Sequence, residues 1–224
     1  MNIDMIRKMN NELKIMDLSD INFRQYGRVL NNIDCSLILD YAEKSICIPK
    51  KGTKYCESVK ELETFSVVDD IKYEVYGGLD IEVGCCSGQN TMLTGLEYHQ
   101  GSETIVAVTD CIIMVGRLQD MKDCTYESKN IESFYVKKGQ VVELYTTTLH
   151  YTPCNVSENG FITLVVLLKG TNTVIEKDHN KLLTKKNKYF ITHPSQEQKV
   201  KNGAIPGFVG DIPEIKLDYG TSGN

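Results

Sequence analysis

The pattern of apolar and polar positions divides the chain into two parts. Residues 4–16 carry apolar side chains at helical spacing, which predicts an amphipathic helix. Two more helices are predicted over residues 35–44 and 58–64, on either side of a loop that contains Pro49 and Gly52. Together these elements predict a helical N-terminal segment over residues 1–66.

From residue 67 the pattern changes to short stretches rich in Val, Ile, Thr and Tyr, broken by Gly and Asn. Such stretches predict the strands of a β-sandwich or barrel, and they cover residues 73–75, 81–85, 93–98, 104–114, 131–136, 140–147, 161–168 and 188–192. Strands and helices do not alternate, so a parallel doubly wound sheet is not expected. We therefore predict a mainly β domain over residues 67–201 and a Gly- and Pro-containing tail over residues 202–224.

Composition and charge narrow the possible partners. The chain has 224 residues, 41% of them apolar, and a formal net charge of −5, which supports a sizeable core and argues against a nucleic-acid partner. No apolar stretch is long enough to span a bilayer, so we expect no membrane partner and a cytoplasmic location. The eight cysteines include no C-x-x-C pair, and we interpret them as reduced, packed thiols.

One segment carries the residue types of a metal site. Glu97 and His99 are two residues apart, so on a strand their side chains point to the same face. Glu103 follows four residues after His99, and His150 lies further along the chain. Carboxylate oxygens and imidazole nitrogens together suit Mn²⁺, Fe²⁺, Co²⁺, Ni²⁺ or Zn²⁺. We predict that these four residues bind one divalent metal.

The same segment resembles the first sequence motif of the cupin superfamily, whose ligands are spaced H-x-H-x3-4-E. In this chain Glu97-x-His99-x3-Glu103 has that spacing, with Glu in place of the first His. This departure keeps the number of ligands and leaves the identity of the metal open.

The second cupin motif, G-x5-P-x-G-x2-H-x3-N, has a similar counterpart later in the chain. Gly139-x5-Tyr145-x-Thr147-x2-His150 keeps the spacing, with Tyr for Pro and Thr for Gly, and Asn155 lies one residue later than the motif places its Asn. The two motifs together span roughly residues 93–168.

The chain resembles one group of cupins over most of its length, an uncharacterised family of bacterial cupin-like proteins. The matching segments are residues 26–29, 74–78, 96–103, 107–110, 144–154 and 170–173. A shorter similarity, in residues 23–29 and 148–150, is to ureidoglycolate lyase. The first resemblance implies a fold and a metal site without naming a reaction.

Membership of the cupin superfamily would imply a double-stranded β-helix barrel with a helical N-terminal extension, assembled as a homodimer. The implied function is a metal-dependent enzyme that isomerises a sugar or sugar acid, with Glu97 and Glu103 transferring protons. A carbon–nitrogen lyase similar to ureidoglycolate lyase and a non-catalytic sugar- or metabolite-binding cupin remain the alternatives.

Five residues are candidates for contacts with a small-molecule substrate. Arg28 and Tyr76 lie in Gly-containing segments that we expect to reach over the mouth of the barrel. Tyr145 and Thr148 precede His150 and would line the cavity with hydroxyl groups. Lys188 begins the last predicted strand and supplies a positive charge.

Overall fold

The structure is a computed structural model that describes residues 3–176 and 180–217. Its helices within these ranges are α1 (Ile3–Met9), α2 (Ser36–Ser45), α3 (Lys60–Glu63), α4 (Val67–Tyr76) and α5 (Glu197–Lys201), with 3-10 helices at Ile21–Gln25, Leu118–Asp120 and Ser128–Asn130. The strands in the same ranges are β1 (Ile15–Asp17), β2 (Gly27–Val29), β3 (Thr53–Cys56), β4 (Ile81–Gly88), β5 (Gly95–Tyr98), β6 (Glu103–Ala107), β7 (Cys111–Arg117), β8 (Tyr126–Glu127), β9 (Glu132–Val136), β10 (Val141–Leu144), β11 (Thr148–Leu149), β12 (Cys154–Asn155), β13 (Phe161–Leu168), β14 (Leu183–Lys185), β15 (Lys188–Thr192) and β16 (Phe208–Val209).

Two sheets enclose the innermost core. One has six strands in the order β2-β10-β6-β13-β4-β3, and the other has the order β1-β9-β7-β11, with β12 also paired to β7. Successive side chains of a strand point to opposite faces, so Ile105 of β6 and Val165 of β13 meet Ile113 of β7 and Phe134 of β9 in one buried cluster. The mainly β domain predicted from the sequence is confirmed.

The outer faces of both sheets are also covered. Val106 and Val166 point outward from the six-stranded sheet and pack against Ile38 of α2 and Ile71 of α4. On the other sheet, Ile112 belongs to a third buried cluster, together with residues of α1, β5 and the C-terminal part of the chain. Burial on both faces explains why the central strands are almost continuously apolar.

One predicted strand is a helix. Residues 73–75 lie in α4, whose buried residues include Val67, Val68, Ile71 and Tyr76. These positions fall on one side of a helix, which packs on the six-stranded sheet. The helix ends at Gly77, which adopts the left-handed conformation with φ +60°. The prediction of a strand failed because Tyr73 and Val75 are residue types common in strands, although here they fill the last turns of a helix before Gly77.

The N-terminal part is not a separate helical segment. The helix predicted over residues 4–16 ends at Met9, and β1 then pairs in parallel with β9. The next two strands also join the main sheets, β2 beside β10 and β3 beside β4. The predicted boundary between residues 66 and 67 therefore falls between strands of the same sheets, and the N-terminal extension contains three strands beside its helices. The helices predicted over residues 35–44 and 58–64 correspond to α2 and α3.

The described part of the predicted tail packs on the domain. β16 pairs in parallel with β8, and Ile215 and Leu217 are buried in the third cluster. Residues 218–224 lie outside the described residues. All eight cysteines are free, as predicted. Among the residues that the structure describes, no helix is long and apolar enough to cross a membrane.

Candidate metal centre

The four side chains predicted as ligands meet beside one cavity. Glu97 lies on β5 with His99 directly after it, Glu103 begins β6, and His150 directly follows β11. The main chains of Glu97 and His150 form a β-bridge, in which Glu97 N donates to His150 O at 2.7 Å and His150 N donates to Glu97 O at 3.0 Å. This bridge joins the two halves of the site across more than fifty residues of chain.

Both imidazole rings are oriented by the main chain. Nδ1 of His99 lies 2.7 Å from the carbonyl oxygen of Asn187, and Nδ1 of His150 lies 2.9 Å from that of Thr148. A carbonyl oxygen only accepts, so each Nδ1 carries the proton and donates it. Nε2 is then the ring atom that faces the cluster, and both Nε2 atoms are buried without a hydrogen-bond partner among the described residues. This is the arrangement that a metal-binding histidine requires.

The potential ligand atoms converge on one point. Glu103 Oε2 lies 3.3 Å from His150 Nε2 and 3.6 Å from His99 Nε2. Ligand atoms of Glu97, His99 and His150 all lie within 4.8 Å of one another. Atoms bound about 2.1 Å from one ion lie roughly 3.0–3.4 Å apart at octahedral or tetrahedral angles. The group therefore fits a divalent metal ion after small movements of the side chains.

The charges of the cluster are strongly coupled. Burial alone would raise the pKa of Glu103, but the imidazoles of His150 and His99 outweigh it and hold that pKa far below its usual range. Burial would lower the pKa of His150, but the carboxylate of Glu103 outweighs it and raises that pKa to about 9. In the metal-free protein His150 therefore carries a proton at neutral pH, and a metal ion must displace it.

Lys188, which the sequence predicted as a substrate contact, lies at this site. Its ammonium group is in contact with Glu97 Oε2. Burial would raise the pKa of Glu97, but Lys188 and the two imidazoles outweigh it, so this pKa lies below its usual value. The rings of Tyr151 and Phe190 flank the ammonium group, with centroids 5.9 and 5.7 Å from Nζ.

A cavity of about 180 Å³ adjoins these groups. At roughly 30 Å³ for each water molecule it would hold about six waters, which is the size of a small metabolite. Its lining residues come from strands of the six-stranded sheet, from the paired strands β5 and β15, from the segment around His150 and from the segment after β13: Thr53, Tyr55, Cys86, Glu97, Glu103, His150, Tyr151, Thr152, Pro153, Val165, Asn172 and Lys188.

Arg28 does not reach this cavity. Its guanidinium group donates to Glu143 Oε2 at 2.5 Å and to Glu74 Oε1 at 3.0 Å. Glu143 lies between the inward-pointing Val142 and Leu144 of β10, so it belongs to the outer face of the sheet. This corrects the prediction that Arg28 contacts a ligand over the mouth of the barrel.

Tyr76 and Tyr145 also lie elsewhere. Tyr76 packs in the outer cluster under α4, where its hydroxyl donates to Val166 O at 2.6 Å. Tyr145 follows β10 and lines a separate surface pocket. Thr148 is buried, and its hydroxyl donates to Tyr26 O at 2.6 Å while its carbonyl holds the ring of His150. Thr148 therefore orients a predicted ligand and does not line the cavity.

Sequence reasoning missed three residues of the site. Asn187 supplies the carbonyl that holds His99, and Tyr55 and Asn172 line the cavity. Asn187 and Asn172 adopt left-handed conformations with φ +59° and +66°. Asparagine between two short strands is a known signal for such a turn, so these two turns were detectable. Their distance from the metal ligands in sequence hid their connection to the site.

A comparison with protein-family models assigns the chain to a family. Residues 15–212 match the model described as a domain of unknown function, DUF4867. The chain belongs to the DUF4867 family. That membership names no reaction for the site, and no curated protein matches the sequence.

Solved structures that match this DUF4867 protein include two oxalate decarboxylases and a capsular polysaccharide assembling protein. A deletion mutant of the Bacillus subtilis oxalate decarboxylase is 14% identical, with a TM-score of 0.31 over 42% of this chain and 23% of that one. The Staphylococcus aureus protein CapF is 17% identical, with a TM-score of 0.35 over 51% of this chain and 27% of that one. The formate complex of the Lactobacillus farciminis oxalate decarboxylase is 15% identical, with a TM-score of 0.32 over 58% and 34% of the two chains. The matched part thus spans at most 34% of those proteins, and at these scores the likeness carries no argument about function.

Proposed function

We propose that this protein is a metal-dependent enzyme that isomerises a small hydroxylated carbonyl compound, such as a sugar or sugar acid. The observation that carries the proposal is the pair of buried Nε2 atoms of His99 and His150, which lack partners and face two carboxylates beside a small polar cavity. A buried, unpaired imidazole nitrogen is costly unless a ligand or ion satisfies it.

The distances suggest different tasks for the two carboxylates. Glu103 lies against both imidazoles, so we assign it with His99 and His150 to one divalent ion, Mn²⁺, Fe²⁺, Co²⁺, Ni²⁺ or Zn²⁺. Such an ion would supply Lewis-acid polarisation of a substrate oxygen. Glu97 is held as a carboxylate by Lys188 and faces the same cavity, so we assign it the role of proton carrier.

Isomerisation needs one ionised carboxylate that faces the cavity and can carry a proton. Glu97 would accept the proton from the carbon that bears the hydroxyl group and return it to the neighbouring carbonyl carbon. The hydroxyl proton moves to the former carbonyl oxygen, so atoms and charge balance. Lys188 would keep Glu97 ionised between turnovers and would face the oxygens of the substrate.

The metal site is tested by elemental analysis of purified protein. We expect close to one divalent ion per chain in the wild type, and a loss of that ion in His99→Ala and Glu103→Ala. His193→Ala is the matched control, because His193 is half-buried away from the cavity and bonds to Ser195 and to the main chain of Gly210. Equal metal content in all four proteins would show that the ligand set is wrong.

The reaction is tested by incubating the metal-loaded protein with small aldoses, ketoses and sugar acids in deuterated water. An isomerase that uses Glu97 incorporates deuterium at the carbon next to the carbonyl group, and Glu97→Gln abolishes this exchange. Release of ammonia or urea from a ureido compound would instead favour the carbon–nitrogen lyase. Binding without exchange or cleavage would favour a non-catalytic sugar- or metabolite-binding cupin.

A further inference from the structure

The segment that follows β13 is connected to the candidate metal centre by hydrogen bonds. Asn187, whose carbonyl holds His99, donates from Nδ2 to Thr171 Oγ1 at 2.9 Å. Asn172, the residue after Thr171, lines the cavity. The turn at residues 170–173 therefore has a fixed position relative to the imidazole of His99, although the segments are more than seventy residues apart in sequence.

Asn172 has a polar atom that no described residue satisfies. The residue is 4% exposed, and its main-chain N–H donates to Lys186 O at 2.9 Å. Its side-chain Nδ2 donates to the hydroxyl of Tyr55 at 3.3 Å. Its Oδ1 is buried and has no hydrogen-bond partner. An amide acceptor that is buried beside a cavity in this way calls for a donor from whatever occupies that cavity.

The assignment of the amide orientation does not change this conclusion. If the amide were turned over, Oδ1 would accept from the Tyr55 hydroxyl and Nδ2 would be the atom without a partner. In either orientation one polar atom of Asn172 has no partner among the described residues, and the hydroxyl of Tyr55 lies beside the amide group.

Tyr55 lies on the same cavity as the two carboxylates. It is carried by β3, directly opposite Cys86 of β4, and both side chains line the cavity with Glu97 and Glu103. A ligand that contacts the metal ligands is therefore close to Tyr55 and Asn172 as well. Neither residue coordinates the proposed ion, so their contribution concerns the ligand alone.

We propose that Asn172 and Tyr55 form an anchor for a hydroxyl group of the ligand, apart from the part that contacts the metal centre. The inference rests on the proposed function and narrows its substrate class to compounds with an additional hydroxyl group. Asn172 and Tyr55 thus determine specificity, because the anchor rejects analogues that leave its buried polar atoms unpaired.

The anchor is tested with protein loaded with Co²⁺ and two pairs of ligands, glycerate against lactate and threonate against 4-deoxythreonate. The members of each pair differ by one terminal hydroxyl group. Calorimetric titration of the wild type should show binding about threefold to tenfold tighter for the hydroxylated member of at least one pair, which is the range of one hydrogen bond.

Two variants remove the anchor without disturbing the backbone. Asn172→Gly keeps the left-handed conformation, because glycine adopts φ +66° without strain. Tyr55→Phe removes only the hydroxyl. In both variants the preference should fall to about onefold, with Co²⁺ content and the affinity for the deoxy compounds unchanged. Tyr135→Phe is the control, since its hydroxyl bonds to Asp110 away from the cavity.

The outcomes separate the two proposals. A wild type that takes up Co²⁺ but shows no preference in either pair, or variants that keep the wild-type preference, would overturn the anchor alone. A wild type that takes up no Co²⁺ would overturn the metal site and the anchor together. Loss of the preference in both variants with full Co²⁺ content would support the anchor.

Discussion

Replacing Asn187 by glycine should weaken metal binding although Asn187 contributes no metal ligand from its side chain. Its Oδ1 accepts from Gln100 N at 2.7 Å, and its Nδ2 donates to Gln100 O at 3.2 Å and to Thr171 Oγ1 at 2.9 Å. These bonds hold the turn whose carbonyl orients His99. Glycine keeps the φ of +59° and the carbonyl, so the variant removes the side-chain bonds selectively.

The magnitude follows from the three bonds and their exposure. Two of them are exposed and one is partly buried, so each is worth about 0.5 kcal/mol, near the lower end of the usual range. The free energy of unfolding should fall by about 1.5 kcal/mol, which corresponds to a decrease in Tm of about 3–6 °C for a chain of this size. Loosening a group that orients a ligand typically weakens metal affinity about 10- to 100-fold.

The assay combines thermal unfolding of the metal-free protein with competitive titration of Zn²⁺ against a chelating dye. Asn187→Ala serves as a second variant, because alanine loses the same bonds and in addition carries about 1 kcal/mol of strain in the left-handed region. If Asn187→Gly lowered Tm as expected but bound Zn²⁺ as tightly as the wild type, the turn would be structural only, and our account of how His99 is oriented would be refuted.

Three further predictions concern pH, packing and the residues that lie outside the site. Metal affinity should rise with pH up to about 9, because Glu103 raises the pKa of His150 to about 9 and the ion competes with the proton on this imidazole. Titrations between pH 6 and 9 that gave one constant affinity would contradict this. Gly116→Ala should lower the free energy of unfolding by about 1–3 kcal/mol in a denaturant titration, since the added Cβ would lie 2.4 Å from the hydroxyl of the buried Tyr126; an unchanged denaturation midpoint would show that this part of the core relaxes. Arg28→Ala should leave metal content and ligand affinity at wild-type values, because its guanidinium pairs with carboxylates on the outer face of the sheet; a loss of ligand affinity would mean that Arg28 acts on the cavity after all.

The ligand candidates were accessible to sequence reasoning because their geometry is largely local. Glu97 and His99 follow the two-residue period of a strand, and Glu103 begins the next strand after a short turn. His150 required the spacing of a second motif. The fold brings these four residues together beside one cavity.

The site predictions that failed depended on contacts between segments that are distant in sequence. Tyr76 and Arg28 were expected at the mouth of the barrel, but β-pairing and the position of α4 put them on the outer face of the six-stranded sheet. The role of Thr148 depends on the hydrogen bond from its hydroxyl to Tyr26, more than a hundred residues away. No local pattern contains that information.

The sequence by itself determined the residue types and the local periodicities: a mainly β chain, reduced cysteines, and carboxylates and imidazoles at the spacing of a metal site. Only the tertiary structure decided that β1, β2 and β3 complete the main sheets, and that Asn187, Asn172 and Tyr55 surround the cavity. The physical reason is that side-chain periodicity is set by the neighbouring residues of one strand. The partners of a strand and the contents of a cavity are set by the packing of distant segments, whose favourable contacts appear only when the whole core is buried.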